Sequence, residues 1–404
     1  MQDTSGESNG HLKGIPRNVL LMIIALSVNG FGIGYLFIYI PAYLPQIGVP
    51  SATVGLLLGV EGLTMAIMAI PFGMLSDRKG RKRLLIIGSF GPVPMFFVFA
   101  LTIDPVAMTL AAALGGIFEG IYLATVNALI ADQTALKYRD TAFTLSFIVG
   151  GTGMALGTAL PFFIPELSGI LGINSAALHT DLLYLLGFIS LLIPFALYFI
   201  LKGVKETIRP ATIPWRGKSI RTLLKFSGIN AIIGLGAGFI IPLIPTWLLY
   251  KFAIPDSISG PILAISTTTI GLAAAFSPML ARKIGTVRAV VLTQGLSLAF
   301  MVALAFVGNF ITAAVIYVIR TGLMNMAQPL LDSYLMGIVD KDQRGFASSL
   351  NSVIWRVPNS VTTIAGGIIL GSGNYDLPFL LAGGCYIVGI SLFYATFRNI
   401  KPSE

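Results

Sequence analysis

Charged side chains inside long apolar stretches are the residues of this chain best placed to do chemistry. They are Glu61, Glu119, Arg320, Asp332 and Arg356. If these stretches cross a membrane, a charge at the bilayer centre costs at least about 2.5–3.5 kcal/mol unless it is paired or hydrated. Each charge is therefore expected to bind an ion or solute, or to have a static partner. Asp332, near the end of its stretch, is expected to neutralise Arg282 or Arg288.

The apolar stretches that hold these charges are numerous and long. Hydrophobic residues make up 55% of the 404 residues, charged residues make up 11%, and the mean hydropathy is +0.86. A soluble domain carries about 25% charged residues. Hydropathy and the roughly 20 residues needed per crossing predict an all-α polytopic membrane protein with twelve transmembrane helices. They are at 18–46, 52–76, 83–103, 106–131, 140–164, 182–202, 222–250, 258–281, 287–308, 311–338, 345–371 and 376–397.

Two predicted loops are longer than the rest. Residues 165–181 are Gly/Ser-rich, and 203–221 is a basic linker between equal halves. Twelve spans place both termini on one side, together with all of the 26 lysines and arginines except Lys251, Arg320 and Arg356. The positive-inside rule places this side in the cytoplasm.

The two halves carry related sequences. The segment Gly30–Tyr35 reads GFGIGY, and it returns as GLGAGF at Gly234–Phe239, 204 positions later. Because six spans separate the copies, both halves have the same orientation, which is a parallel repeat. We therefore predict an N-terminal six-helix bundle at 1–202, a cytoplasmic linker at 203–221 and a C-terminal six-helix bundle at 222–404.

The turn after the second span has the most specific local pattern. Residues 73–83 read GMLSDRKGRKR. Gly73 is expected to let the helix end pack closely, and Gly80 to supply the backbone freedom of a tight turn. Asp77 is expected to accept hydrogen bonds from a helix N-terminus or an arginine. The basic residues alone would also fit a plain cytoplasmic loop.

This turn, the span count, the central linker and the half repeat together resemble the major facilitator superfamily over essentially the whole chain. The resemblance implies a secondary transporter in which two six-helix bundles rock around a central site. It also implies a conformational latch that forms when the transporter faces outward. The latch residues would be Gly73, Asp77, Arg78, Gly80 and Arg81.

Helices one, four, seven and ten line the central cavity in that superfamily. The resemblance therefore makes candidate substrate- or proton-site residues of Glu119, Arg320, Asn29, Asn325 and Tyr35. Helices two and eleven adjoin, which implies either a mobile or a static ion pair between Glu61 and Arg356. The arginine of the family's helix-four pattern is absent, with Ala112 in its place, and Arg320 supplies a cation in helix ten instead.

The expected activity is transport of a small organic solute by alternating access. Glu119 and Glu61 are the expected proton carriers, because burial penalises the charged form of a carboxyl group. Multispecific efflux fits the scarcity of polar residues in the spans. Because two buried arginines suit an anion, a uniporter or symporter for an organic anion or a lipid-like solute stays open. A channel and a polytopic membrane enzyme are alternatives of another class.

Other classes are disfavoured. No Walker or HExxH pattern occurs, and no GxSxG elbow lies between a predicted strand and a helix, so neither ATP hydrolysis nor enzymatic activity is expected, and no cofactor. A single cysteine, Cys385, and two histidines outside the predicted spans, His11 and His179, argue against a metal site. Basic residues lie in short clusters between apolar runs, which argues against nucleic-acid binding. The expected partners are the lipid bilayer, a small-molecule substrate and the proton. The protein is expected to act as a monomer in the cell membrane.

Overall fold

The computed structural model describes residues 14–206, 220–339 and 344–399, and of 344–346 it describes the backbone alone. Within these ranges the regular structure is helical, without a strand. Twelve helices are long and apolar enough to cross a membrane, which confirms the predicted number. Numbered α1–α12, they are Arg17–Gln46, Ser51–Lys79, Arg81–Leu101, Pro105–Gln133, Leu136–Leu171, Ser175–Ile200, Ile220–Phe252, Asp256–Ile284, Thr286–Phe306, Phe310–Ile338, Arg344–Gly371 and Leu377–Phe397.

Five of these helices are interrupted internally. The interruptions are a π-helical turn at Tyr39–Tyr43 in α1, the segment between Gly88 and Val93 in α3, Leu160–Phe163 in α5, the segment between Gly238 and Ile244 in α7, and Ala327 in α10. A proline lies in or beside each of them: Pro41, Pro92, Pro161, Pro242 and Pro329. Proline lacks a backbone donor and clashes with the preceding turn, so each interruption has a local cause.

The prediction of a loop at 165–181 is wrong. Ile164–Leu171 continues α5, and α6 already begins at Ser175. Gly172 ends α5 in the left-handed region, with a φ of 65°. Glycine and serine are common in membrane helices because small residues allow close packing, so this composition did not mark a loop. His179, which the sequence placed outside the spans, consequently lies inside α6 and is 3% exposed.

The described residues form two compact units. The first contains the residues up to Phe37 and those from Ile67 to 206, which include most of α1, the second part of α2, and α3–α6. Within it α1 and α5 cross at glycines. A Cβ atom added at Gly157 would lie 1.9 Å from the Phe31 carbonyl oxygen. These two helix backbones are therefore in direct contact, as small residues permit in membrane proteins.

The second unit contains Ile38–Ala66 and the described residues from Ile220 onward. Its helices α7 and α11 repeat the close crossing of the first unit. A Cβ atom at Gly238 would lie 2.0 Å from the Asn359 carbonyl oxygen, and Gly238 is the counterpart of Gly34 in the sequence repeat. At Gly34 the added Cβ atom would lie 2.1 Å from a carbonyl oxygen of α5. The sequence repeat is thus also a repeat of helix packing.

The first part of α2 belongs to the second unit as well. Gly55 of α2 contacts Gly367 of α11, where an added Cβ atom would lie 3.0 Å from the Gly367 Cα atom. The Ser51 hydroxyl group donates a hydrogen bond of 2.8 Å to the carbonyl oxygen of the same Gly367. The predicted division of the chain at 203–221 stays a prediction, and residues 207–219 of that linker lie outside the described residues.

Candidate functional site

The turn at 73–83 is held within the first unit by Arg81. Its Nη2 atom donates a hydrogen bond of 2.7 Å to Asp77 Oδ1. Its Nη1 atom donates to Asp132 and, at 3.0 Å, to the Ala128 carbonyl oxygen. The planar guanidinium group can span two carboxylates in a way that a lysine cannot. Arg81 therefore ties the turn to the C-terminal end of α4.

Gly80 connects α2 to α3 in a conformation that favours glycine, with a φ of 96°. Glu206 lies directly against it, because a Cβ atom at Gly80 would be 2.6 Å from Glu206 Oε2. Glu206 Oε1 accepts a hydrogen bond of 2.6 Å from the Lys82 backbone N–H. A carboxylate is stabilised at a helix N-terminus, here that of α3. Sequence reasoning missed Glu206, which looks like one more charge beside the linker.

The other two predicted latch residues have fewer contacts. A Cβ atom at Gly73 would come no closer than 3.9 Å to the Ala124 side chain, which is an ordinary contact. The close packing expected at Gly73 is therefore not required in this structure. Arg78 is exposed. The assignment of Gly73, Asp77, Arg78, Gly80 and Arg81 as a conformational latch stays a prediction.

The interruption in α3 brings together two of the candidate site residues. Asn29 of α1 is 4% exposed, and its Nδ2 atom donates to the Ser89 carbonyl oxygen at 3.4 Å. Glu119, half buried midway along α4, lies near the same segment, because a Cβ atom at Gly91 would be 3.6 Å from the Glu119 backbone nitrogen. The Asn29 amide group and the backbone of Glu119 therefore both lie against this irregular segment.

Tyr35 lies further along α1 and is fully buried. Its hydroxyl group is 2.7 Å from His179 Nδ1, and the two rings are stacked with their centroids 6.2 Å apart. Tyr35 therefore packs against α6 of its own unit. Because His179 was assigned to a loop, this pair could not be found from the sequence. A role for Tyr35 in substrate binding stays a prediction.

Glu61 and Arg356 lie on helices that pack together in the second unit. α2 meets α11 at Gly62, where an added Cβ atom would be 2.3 Å from Ser360 Oγ. The half-buried Arg356 places its Nη2 atom 3.5 Å from Met65 Sδ. Met65 follows Glu61 by four residues, which puts both on one helix face. Helices α2 and α11 therefore pack against each other, as an ion pair between Glu61 and Arg356 requires. The ion pair itself stays a prediction.

Arg320 is buried, with 3% of its surface exposed, whereas Glu61, Glu119 and Arg356 are half buried and Asp332 is exposed. Its Nη2 atom donates a hydrogen bond of 2.8 Å to the Tyr386 hydroxyl group of α12. The Ser297 hydroxyl group of α9 donates to the Arg320 carbonyl oxygen at 3.1 Å. Arg320 therefore points among helices of its own unit. Tyr386, an uncharged aromatic residue, was not identified from the sequence.

Two further polar residues of α10 make contacts along their own helix. Asn325 Nδ2 donates to the Thr321 carbonyl oxygen at 2.9 Å. Asp332 Oδ1 accepts a hydrogen bond of 3.0 Å from Gln328 Nε2. Asp332 is exposed, and among the described residues it forms no ion pair with Arg282 or Arg288. The expected neutralisation is therefore not present in this structure.

The fold and these charges define a polytopic membrane protein of the transporter class, with repeated helix packing and ionisable side chains midway along its helices. The sequence profile of the Major Facilitator Superfamily matches residues 22–227 and 226–404, so the chain belongs to this family. It is a multi-pass membrane transporter of small molecules and not an enzyme.

Curated relatives match over nearly the whole chain. Multidrug resistance protein 2 of Bacillus subtilis (strain 168) is 24% identical over 398 residues, covering 94% of this chain and 96% of the relative. Quinolone resistance protein NorA of Staphylococcus aureus (strain COL) is 23% identical over 392 residues, covering 93% and 95%.

Solved structures share the fold at lower identity. A bacterial homolog of the human lysosomal transporter Spinster, in an inward-facing and occupied conformation, has a TM-score of 0.72 and 16% identity, covering 95% of this chain and 96% of the other. A D-xylose–proton symporter has a TM-score of 0.73 and 14% identity, covering 93% and 97%. These likenesses concern the fold alone.

Proposed function

We propose that this protein exports small, largely apolar organic compounds in exchange for protons. The observation that carries the proposal is the match, over more than nine-tenths of the chain, to proteins named for multidrug and quinolone resistance. The membrane-spanning helices carry few polar side chains, which suits apolar compounds. Alternating access of the halves 1–202 and 222–404, joined by the linker 203–221, is the proposed mode of transport.

Glu119 is the proposed proton carrier in the first half. It is a half-buried carboxyl group in the middle of a membrane helix, beside the interruption in α3. A carboxyl group held away from bulk water takes up a proton more readily than an exposed one. Binding of a proton at Glu119 and release on the other side of the membrane would couple the proton gradient to export.

The test is proton-driven uptake into everted membrane vesicles from a bacterial strain that lacks its own drug exporters. The probes are ethidium and norfloxacin. We expect accumulation with the wild type and a loss of at least tenfold in its initial rate with Glu119→Gln. The matched control is Glu166→Gln, which changes an exposed glutamate of the same unit and should transport like the wild type.

Two results would overturn the proposal. If wild-type vesicles accumulate no more probe than vesicles without the protein, the proposed export activity is wrong. If Glu119→Gln leaves proton-driven uptake unchanged, Glu119 is not the proton carrier. The proposal also includes a monomeric protein. Both termini are proposed to lie in the cytoplasm, which the distribution of lysine and arginine supports.

A further inference from the structure

A glutamine of α9 is buried without a protein partner for its side chain. Gln294 is 5% exposed, and its amide group makes no hydrogen bond among the described residues. An amide group that is removed from bulk water without a hydrogen bond is unfavourable. Buried polar groups that lack a protein partner are commonly bound to ordered water. Gln294 therefore indicates a small polar ligand that is not part of the chain.

A narrow cavity lies beside Gln294, inside the second unit. Its polar lining residues are Asn230 and Gln294, and its apolar ones include Phe226, Leu331 and Phe393. The enclosed space has room for about one water molecule. An organic solute is too large for it, so the size of the cavity and the chemistry of Gln294 both favour water as the ligand.

Asn230 of α7 supplies a second partner for this ligand. Its Nδ2 atom donates a hydrogen bond of 3.2 Å to Asn351 Oδ1 on α11. Its own Oδ1 atom accepts no hydrogen bond among the described residues. Because water both donates and accepts hydrogen bonds, one molecule can accept from Gln294 Nε2 and donate to Asn230 Oδ1.

The internal repeat also favours a polar contact at this place. Ser89 of α3 and Gln294 of α9 are each the ninth residue of their helix. In the first unit Asn29 of α1 donates directly to the Ser89 carbonyl oxygen at 3.4 Å. The counterpart of Asn29 in α7 is Ile233, since each directly precedes the repeated glycine segment. Ile233 has no polar side-chain atom and lines the cavity, so the direct contact cannot form in the second unit.

We propose that this cavity holds one ordered water molecule that bridges the amide groups of Gln294 and Asn230. In the second unit this water takes the place of the direct contact between Asn29 and Ser89 in the first. It satisfies the buried glutamine and links α9 to α7 and, through Asn351, to α11. Its role is structural and does not depend on which solute is transported.

The test is radiolytic labelling of the purified full-length protein in detergent, with oxidation measured by mass spectrometry. A short X-ray exposure forms hydroxyl radicals from water, and these radicals oxidise side chains that lie next to a bound water molecule. Phe226 and Phe393 line the cavity and are 2% and 5% exposed. We expect both to be oxidised several-fold more than Phe379, which is fully buried in the same unit and does not line the cavity.

Substitutions distinguish a bound water molecule from bulk solvent. Gln294→Leu keeps the approximate size of the side chain but removes the amide group, so the excess oxidation of the two cavity phenylalanines should disappear. Gln328→Leu makes the same change at an exposed position of α10 and should be labelled like the wild type. If Gln294→Leu does not fold, Asn230→Leu removes the other partner and should give the same loss.

Two results would contradict the bound water. One is oxidation of Phe226 and Phe393 no greater than that of Phe379 in the wild type. The other is excess oxidation that persists in the Gln294 variant or in its Asn230 substitute. Because labelling is measured without transport, either result is independent of the export assay.

Discussion

Arg320 and Arg356 are both arginines within membrane-spanning helices, and their surroundings differ. Arg320 is packed among α9, α10 and α12 and bound to Tyr386. Arg356 lies at the contact of α2 with α11, where its side chain reaches Met65. A half-buried charge at the contact of two helices is more accessible to a new partner than a fully buried one. We therefore propose that, of the two arginines, Arg356 has the mobile role.

A charge exchange tests the Glu61–Arg356 pair. Glu61→Arg and Arg356→Glu should each reduce proton-driven norfloxacin uptake at least tenfold, because each places two like charges on facing helices. The double variant restores opposite charges and should recover a substantial part of the rate. Uptake is compared at equal amounts of folded protein, measured by size-exclusion chromatography. A double variant as inactive as the singles would show that the two residues do not act as a pair.

The sequence predicts which residues are charged and at what depth, but not which neighbour each side chain faces. Hydropathy placed Arg320 within its helix correctly, yet its contact with Tyr386 depends on the rotation of two helices that are distant in sequence. The contact of Tyr35 with His179 could not be predicted for another reason. The Gly/Ser-rich stretch that contains His179 was interpreted as a loop. Glu206 was missed because an N-terminal cap contributed by a distant segment leaves no local pattern.

The helices of both units pack through glycines at repeat-related positions. In the first unit Gly34 and Gly157 lie at the crossing of α1 and α5, and in the second unit Gly238 lies at the crossing of α7 and α11. In a bilayer, helix association depends on close van der Waals contact rather than on the hydrophobic effect. The GFGIGY and GLGAGF segments are therefore repeated because the same crossing must be built twice.

A pair of glycine substitutions on α5 tests this account. Gly157→Ala would place a methyl group 1.9 Å from the Phe31 carbonyl oxygen, so the helices must separate, at a cost on the order of 1–3 kcal/mol. Gly151→Ala on the same helix would contact nothing within 4 Å and gains up to about 1 kcal/mol of helix propensity. We expect the midpoint of thermal unfolding to fall by several degrees for the first and to stay or rise for the second. Equal midpoints would contradict a backbone contact at Gly157.

The number and approximate ends of the helices could be predicted from hydropathy, because each crossing needs a long apolar segment. The internal interruptions of the helices could be anticipated only in part from the positions of the prolines. A proline lies in or beside each interruption, but other prolines, such as Pro71 and Pro194, lie within continuous helices. The composition of the two units could not be predicted. A sequence repeat divides the chain in the middle, whereas Ile38–Ala66 packs with the second unit.

The topology of the whole molecule is open to a direct test. Cys385 is the only cysteine, so a Cys385→Ser background allows single cysteines to be introduced. We expect Ser372→Cys, between α11 and α12, to react with a membrane-impermeant maleimide on intact cells. Arg282→Cys, near the end of α8, should react only after permeabilisation, because the positive-inside rule places it in the cytoplasm. The background without an added cysteine is the control, and the reverse labelling pattern would invert the proposed topology.

The buried guanidinium group of Arg320 has an electrical consequence. A fixed elementary charge that traverses the full membrane field changes its energy by about 2.3 kcal/mol for every 100 mV. Any rearrangement that carries Arg320 part of the way along the membrane normal therefore responds to voltage in proportion to the distance moved.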